Sequence, residues 1–186
     1  MGKSSKRRLT TIVAADVFGY SRLVAADEEG TLAALSRHRS ELIDPKISEH
    51  DGRIAHTAGD SLLIEFQSVV EALRFAISMQ HGVSIRNAGI PDERQVVFRV
   101  GINLGDVIEQ DGDLLGDGVN VAARIEALAN PGGINISAAA RDQIGEKIEV
   151  EFDDLGEQSL KNIPKPVRVY RVELDVSAIQ RRSPSK

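Results

Sequence analysis

The chain has 186 residues, 41% hydrophobic and 27% charged, with a formal net charge of −5, which suits one soluble domain with a core that needs no staple. It has no cysteine, which excludes disulfides, thiolate metal sites and a cysteine nucleophile. The negative charge argues against a nucleic-acid surface, and the apolar runs are too short to span a bilayer, so no membrane contact and a cytoplasmic location are expected.

Residues 1–8 are basic but lead into no apolar segment of leader type, and they read as a short solvated tail. Residues 9–18 (LTTIVAADVF) are β-branched and apolar and predict a buried strand ending near Asp16. Residues 27–50 carry Leu32, Leu35, Leu42 and Ile43 at helical spacing, with Pro45 placed to kink or end the helix. Residues 53–66 (RIAHTAGDSLLIEF) predict a hairpin turning at Ala58-Gly59-Asp60, because glycine supplies the positive φ of a tight turn. A helix is expected over 68–87, a strand over 95–109, and a loop over the Asp/Gly-rich 111–118. Residues 119–129 (VNVAARIEALA) form the clearest helix, stopped by Asn130-Pro131-Gly132-Gly133. A strand at 134–136, a helix at 138–144 and strands at 148–153 and 167–172 follow, and residues 175–186 read as a polar disordered tail. One domain therefore occupies 9–174. Helices alternate with strands that include hairpins, which predicts an α+β fold: a ferredoxin-like βαββαβ-type sandwich with a mixed, mostly antiparallel sheet and helices packed on it.

Two carboxylates stand where rigid backbone aims them: Asp16 at a strand end and Asp60 at a hairpin tip. Brought together, they would offer oxygen ligands to Mg²⁺ and leave room for substrate phosphates; taken singly, each is also an ordinary turn aspartate. Asn120 and Arg124 lie i, i+4 on one helix face. Arginine is a planar fork for phosphate oxygens, and the pair suits charge growing on phosphorus, although taken alone the spacing is better accounted for by a helix-start asparagine and a surface arginine. The stretch 111–120 (DGDLLGDGVN) has neither the order of a P-loop nor that of a dinucleotide fingerprint, and lacks a full calcium-loop pattern. His38, His50, His56 and His81 form no zinc spacing, and Ser21 and Ser61 lack a nucleophile-elbow context.

The segments TIVAADVFGYSRL, GRIAHTAGDSLLIEF, FRVGINLGDV and GDGVNVAARIEALA, in that order, resemble the catalytic domain of class III adenylate/guanylate cyclases of bacterial type, and DLGEQSLKNIPKPVRVYRV is similar to its closing strands. The resemblance covers residues 9–173. It implies that Asp16 and Asp60 bind two Mg²⁺ or Mn²⁺ ions, that Asn120 contacts the ribose and Arg124 the triphosphate, and that Asp113 reads the base. His56 stands where adenylate-forming members commonly carry a base-reading lysine. Imidazole still donates one hydrogen bond to a purine, but losing a good base contact costs ~1–3 kcal/mol, enough to weaken the choice of ATP over GTP. His56 as a plain strand residue beside a degenerate pocket is the competing reading. Where some members place a phosphate-binding lysine in a K-G-K pattern, this chain reads Lys161-Asn162-Ile163-Pro164-Lys165, so either Lys161 or Lys165 is a candidate for the triphosphate. The resemblance further implies a homodimer whose active sites lie between subunits, with Asp16 and Asp60 from one chain and His56, Asp113, Asn120 and Arg124 from the other. The implied activity converts ATP to 3′,5′-cyclic AMP and pyrophosphate in cyclic-nucleotide signalling.

Three alternatives remain on the sequence: a guanylate cyclase, a non-catalytic cyclase-like module that binds a nucleotide, and a diguanylate-type transferase. The last would want a G-G-[DE]-E-F turn where this chain has Ala58-Gly59-Asp60-Ser61.

Overall fold

The computed structural model describes residues 5–174. A mixed sheet runs through the molecule in the order β2 (Arg53–Ala58), β3 (Ser61–Phe66), β1 (Lys6–Val17), β4 (Phe98–Gln110), β6 (Ile134–Ser137), β8 (Val167–Glu173) and β7 (Glu151–Gln158), with β5 (Asp113–Leu115) paired to β4 beside that path. The parallel pair is β4–β6; the other strand pairs are antiparallel. The chain is thus an α+β sandwich with helices on the sheet.

Strand β1 (Lys6–Val17) begins inside the segment read as a tail, so Lys6, Arg7 and Arg8 are strand residues paired to Glu109, Ile108 and Val107. The tail expected at 175–186 lies outside the described residues. The predicted 27–50 helix is broken into pieces. A short α1 (Tyr20–Ala26) precedes it, and Asp27 caps α2 (Glu28–His38) by accepting from Gly30 N. A π-type turn over Arg39–Ile43 then feeds α3 (Asp44–Glu49), which carries Pro45 in its first turn. Proline removes an N–H and crowds the carbonyl four residues back, and the widened turn before it is where that crowding is relieved.

Strands β2 (Arg53–Ala58) and β3 (Ser61–Phe66) form the expected hairpin, with Gly59 at φ 58° in the turn and a bulge between Ile54 and His56. Helix α4 (Val69–Asn87) starts at Ser68, whose hydroxyl accepts from Glu71 N. Strand β4 (Phe98–Gln110) runs on through the Asp111-Gly112 turn into β5 (Asp113–Leu115). Part of the predicted 111–118 loop is therefore a short strand, closed by positive φ at both Asp111 and Gly112. Helix α5 (Asp117–Ala127), β6 (Ile134–Ser137), α6 (Ala138–Ile144), β7 (Glu151–Gln158) and β8 (Val167–Glu173) complete the domain. Strand β7 lies later than the predicted 148–153, because its register is set by pairing with β8.

Strict alternation along β1 and β4 separates two faces. Val13, Ala15, Val17, Phe98, Val100 and Ile102 join the main core under α4. Ile12 and Ala14 face the other way, onto Ala122 and Val119 of α5. Helix α5 lies close because Gly101 has no side chain: a Cβ there would meet Ala122 O at 2.6 Å and Glu126 N at 2.6 Å. Two buried sheet amides then tie it down, with Asn103 Nδ2 donating to Gly118 O at 3.0 Å and Asn135 Nδ2 to Ile125 O at 3.2 Å.

Candidate active site

The end of β1 and the tip of the β2–β3 hairpin converge. Asp16 is the penultimate residue of β1, and Asp60 fills the hairpin turn, where its Oδ2 accepts from Val17 N at 3.0 Å. The hairpin thus brings together two aspartates 44 positions apart in the chain and holds one by the backbone next to the other.

A residue that sequence reasoning passed over closes this corner. Arg99 lies opposite Asp16 in the β1–β4 register. It forks onto the carboxylate, Nε to Oδ1 at 3.1 Å and Nη2 to Oδ2 at 2.9 Å. Its Nη1 donates to Ala127 O at 3.3 Å, and its guanidinium sits 5.8 Å from the Phe18 ring centre. Glu126, buried on α5, stands 3.8 Å from the same guanidinium. Burial first, then hydrogen bonding to Asp16 and repulsion from it, push the Glu126 carboxyl up to about 8, against a smaller opposing pull from Arg99. The clue to Glu126 in the sequence is a charged residue on the helix face that also carries Ala122 and Ile125; the clue to Arg99 needed the strand register.

The donors at this corner are hard carboxylate oxygens, the set that suits Mg²⁺ or Mn²⁺. Among the described residues no group of three or more His, Cys, Asp or Glu could hold an ion. Two carboxylates alone fit a magnesium-type site, which keeps positions for water and phosphate oxygens.

The remaining candidates lie elsewhere. Asn120 is exposed and Arg124 half-buried on α5, and neither side chain has a hydrogen-bond or ion-pair partner among the described residues. His56 on β2 and Asp113 on β5 come together across the face that carries α5, with Nδ1 and Oδ2 3.6 Å apart. Asp113 Oδ1 accepts from Leu114 N at 2.8 Å, which fixes the carboxylate's orientation. Lys161 and Lys165 are both exposed in the β7–β8 connection. Among the described residues no hydrogen bond or ion pair joins the Asp16–Asp60 corner to His56, Asp113, Asn120 or Arg124. Helix α5, which carries Asn120 and Arg124, also meets the corner at its C-terminal end, through Glu126 and Ala127 O against Arg99.

Residues 3–173 match the family model described as the adenylate and guanylate cyclase catalytic domain. A protein of Rhizobium meliloti (strain 1021) named "Putative adenylate cyclase 3" is 44% identical over 90% of this chain, and the chain spans 29% of that relative's length. A crystal structure of an adenylate/guanylate cyclase/hydrolase from Silicibacter pomeroyi superimposes with a TM-score of 0.87 at 41% identity, covering 92% of this chain and all of that one. The adenylyl cyclase CyaB from P. aeruginosa shares the fold at 23% identity, with a TM-score of 0.80 over 91% of this chain and 96% of its own.

Proposed function

Because the chain belongs to the adenylate and guanylate cyclase catalytic domain family, we propose that it converts ATP to 3′,5′-cyclic AMP and pyrophosphate. The observation that carries the reading is the Asp16–Asp60 corner, with Asp60 fixed on Val17 N and Asp16 oriented by Arg99. Asp16 and Asp60 would hold two Mg²⁺ or Mn²⁺ ions, which when bound acidify the ribose 3′-hydroxyl and neutralise triphosphate charge. The 3′-oxygen attacks the α-phosphorus in line, forming the cyclic ester bond while the bond to pyrophosphate breaks. Asn120 orients the ribose, and the Arg124 fork meets the charge that grows on the phosphoryl oxygens. Lys161 or Lys165 adds positive charge at the outgoing phosphates.

His56 and Asp113 read the base. Asp113 Oδ2, which faces His56 while Oδ1 is taken by Leu114 N, is the acceptor suited to the exocyclic amino group of adenine. His56 in place of lysine favours a second reading in which GTP competes.

A head-to-tail homodimer is what the family resemblance implies for these residues. One copy supplies Asp16 and Asp60, and the other supplies His56, Asp113, Asn120 and Arg124, giving two equivalent sites. The test is product formation from ATP and from GTP, with Mn²⁺ or Mg²⁺, over a range of protein concentrations. Cyclic AMP appearing with more than first-order dependence on protein is the expected result. Cyclic GMP alone would replace the substrate, and no cyclic product from a confirmed dimer would leave a nucleotide-binding module.

A further inference from the structure

Glu65 is a carboxylate in the apolar strand β3, 3% exposed, and the chemistry above does not use it. Arg8 clamps it from β1 through both terminal guanidinium nitrogens, and Thr10 Oγ1 donates to it at 2.6 Å. Arg53 Nε donates to Glu65 Oε1 at 2.9 Å from the start of β2. Burial by itself would raise this carboxyl, but the hydrogen bonds from Arg8, Thr10 and Arg53 outweigh it and bring it down to about 2. Buried ion pairs return little more than they cost in desolvation, so stability alone is a poor reason for placing one here.

The far side of Arg53 supplies another reason. Its Nη1 donates to Gly112 O at 2.8 Å, 59 positions along the chain. Gly112 is in the two-residue turn between β4 and β5, immediately before Asp113, and that hairpin pairs through three residues of β5. His56 follows Arg53 by three residues, across the bulge. One guanidinium therefore spans the two strands that carry the base-reading pair and is itself held by a carboxylate fixed on β1. The 3.6 Å separation of His56 Nδ1 and Asp113 Oδ2 is set by where β2 stands relative to the hairpin tip, and hydrogen-bond strength falls steeply when such a distance or angle drifts.

We infer that Arg53, anchored by Glu65 and Arg8, is a positioning residue that fixes Asp113 against His56 and so sets the discrimination between adenine and guanine nucleotides. This rests on the cyclase reading of the His56–Asp113 pair. Arg53→Lys keeps the charge against Glu65 but cannot fork to both Glu65 and Gly112; Arg53→Gln removes the charge as well.

The experiment measures kcat/KM for ATP and for GTP in the wild type, Arg53→Gln, Arg53→Lys, Asp113→Asn and the double variant Arg53→Gln/Asp113→Asn. The Mn²⁺ concentration for half-maximal rate and the thermal midpoint are read alongside. Each Arg53 variant is expected to shift the ATP/GTP ratio about tenfold, the worth of one well-made hydrogen bond, while the Mn²⁺ dependence stays put. The shift should vanish in the Asp113→Asn background. A lowered thermal midpoint with an unchanged ratio, or a shift that persists without Asp113, overturns the inference. Should Arg53→Gln fail to fold, Arg53→Lys carries the test. Should the wild type make no cyclic product, the cyclase reading fails, and the ratio of ATP to GTP dissociation constants in the same variants decides the role of Arg53 separately.

Discussion

The two faces of the sheet are built on different physics. Under α4 the packing is nearly all apolar, with Phe66 and Phe75 rings 5.1 Å apart, and Leu73, Ala76 and Met79 fully buried. Under α5 the same strands present Arg8, Thr10, Asp16, Glu65, Arg99 and Asn103 among small residues, and a single helix covers part of that surface. The first face supplies stability through area removed from water. The second holds charges at fixed positions, where an intact pair returns little beyond its desolvation cost although loss of one partner is destabilising. A cyclase needs both, because carboxylates and guanidinium groups act on a nucleotide only where a rigid support aims them.

The sharpest separation of the faces comes from Asp16→Ala. Turnover should fall on the order of 10³-fold or more, since it removes half the proposed metal ligands, while circular dichroism and the thermal midpoint stay near wild type. Substantial activity in saturating Mn²⁺ would remove Asp16 from the site. The mirror experiment is Phe75→Ala on the apolar face, where deletion of a fully buried ring should cost ~3–5 kcal/mol of stability in urea titrations. The molecules still folded should keep their activity.

Smaller effects come from the charges, with opposite signs. Glu65 lies at about 2 in the fold against an ordinary 4.5, so its contribution is complete above pH 4.5 and disappears as pH falls toward 2. The loss is on the order of 3 kcal/mol, and Glu65→Gln should flatten that acid limb while lowering stability at neutral pH. Equal slopes in the two proteins between pH 5 and pH 3 would show that Glu65 is not held as an ion. Glu126 behaves in the other direction. Its carboxyl is raised to about 8, so the folded state is penalised progressively as pH rises from 4.5 to 8. Glu126→Gln should remove that decline and be more stable at pH 8 by ~1 kcal/mol, the gain limited by the cost of burying the amide. Parallel pH–stability curves for the two proteins would contradict the raised carboxyl.

The periodic elements are legible in the order of the amino acids alone. The 53–66 hairpin follows from alternation around a glycine turn, α4 and α6 from their spacing, and the buried β1 from its β-branched run, because these patterns are local and the backbone answers to them directly. Motif order likewise identified the family and nominated Asp16, Asp60, His56, Asp113, Asn120 and Arg124. Contacts that depend on register emerge only in the folded sheet. Arg99 meets Asp16 because β1 and β4 pair antiparallel with those residues opposite, and a shift of one residue would send Arg99 to the apolar face. The 27–50 helix divides around a π-type turn because the backbone must accommodate Pro45. Arg7 and Arg8 look like a tail in sequence, yet they extend β1 because Glu109 and Glu65 wait on the neighbouring strands to receive Arg8. Long-range partners of that kind leave no periodic trace in the chain, and only the folded sheet brings them within reach.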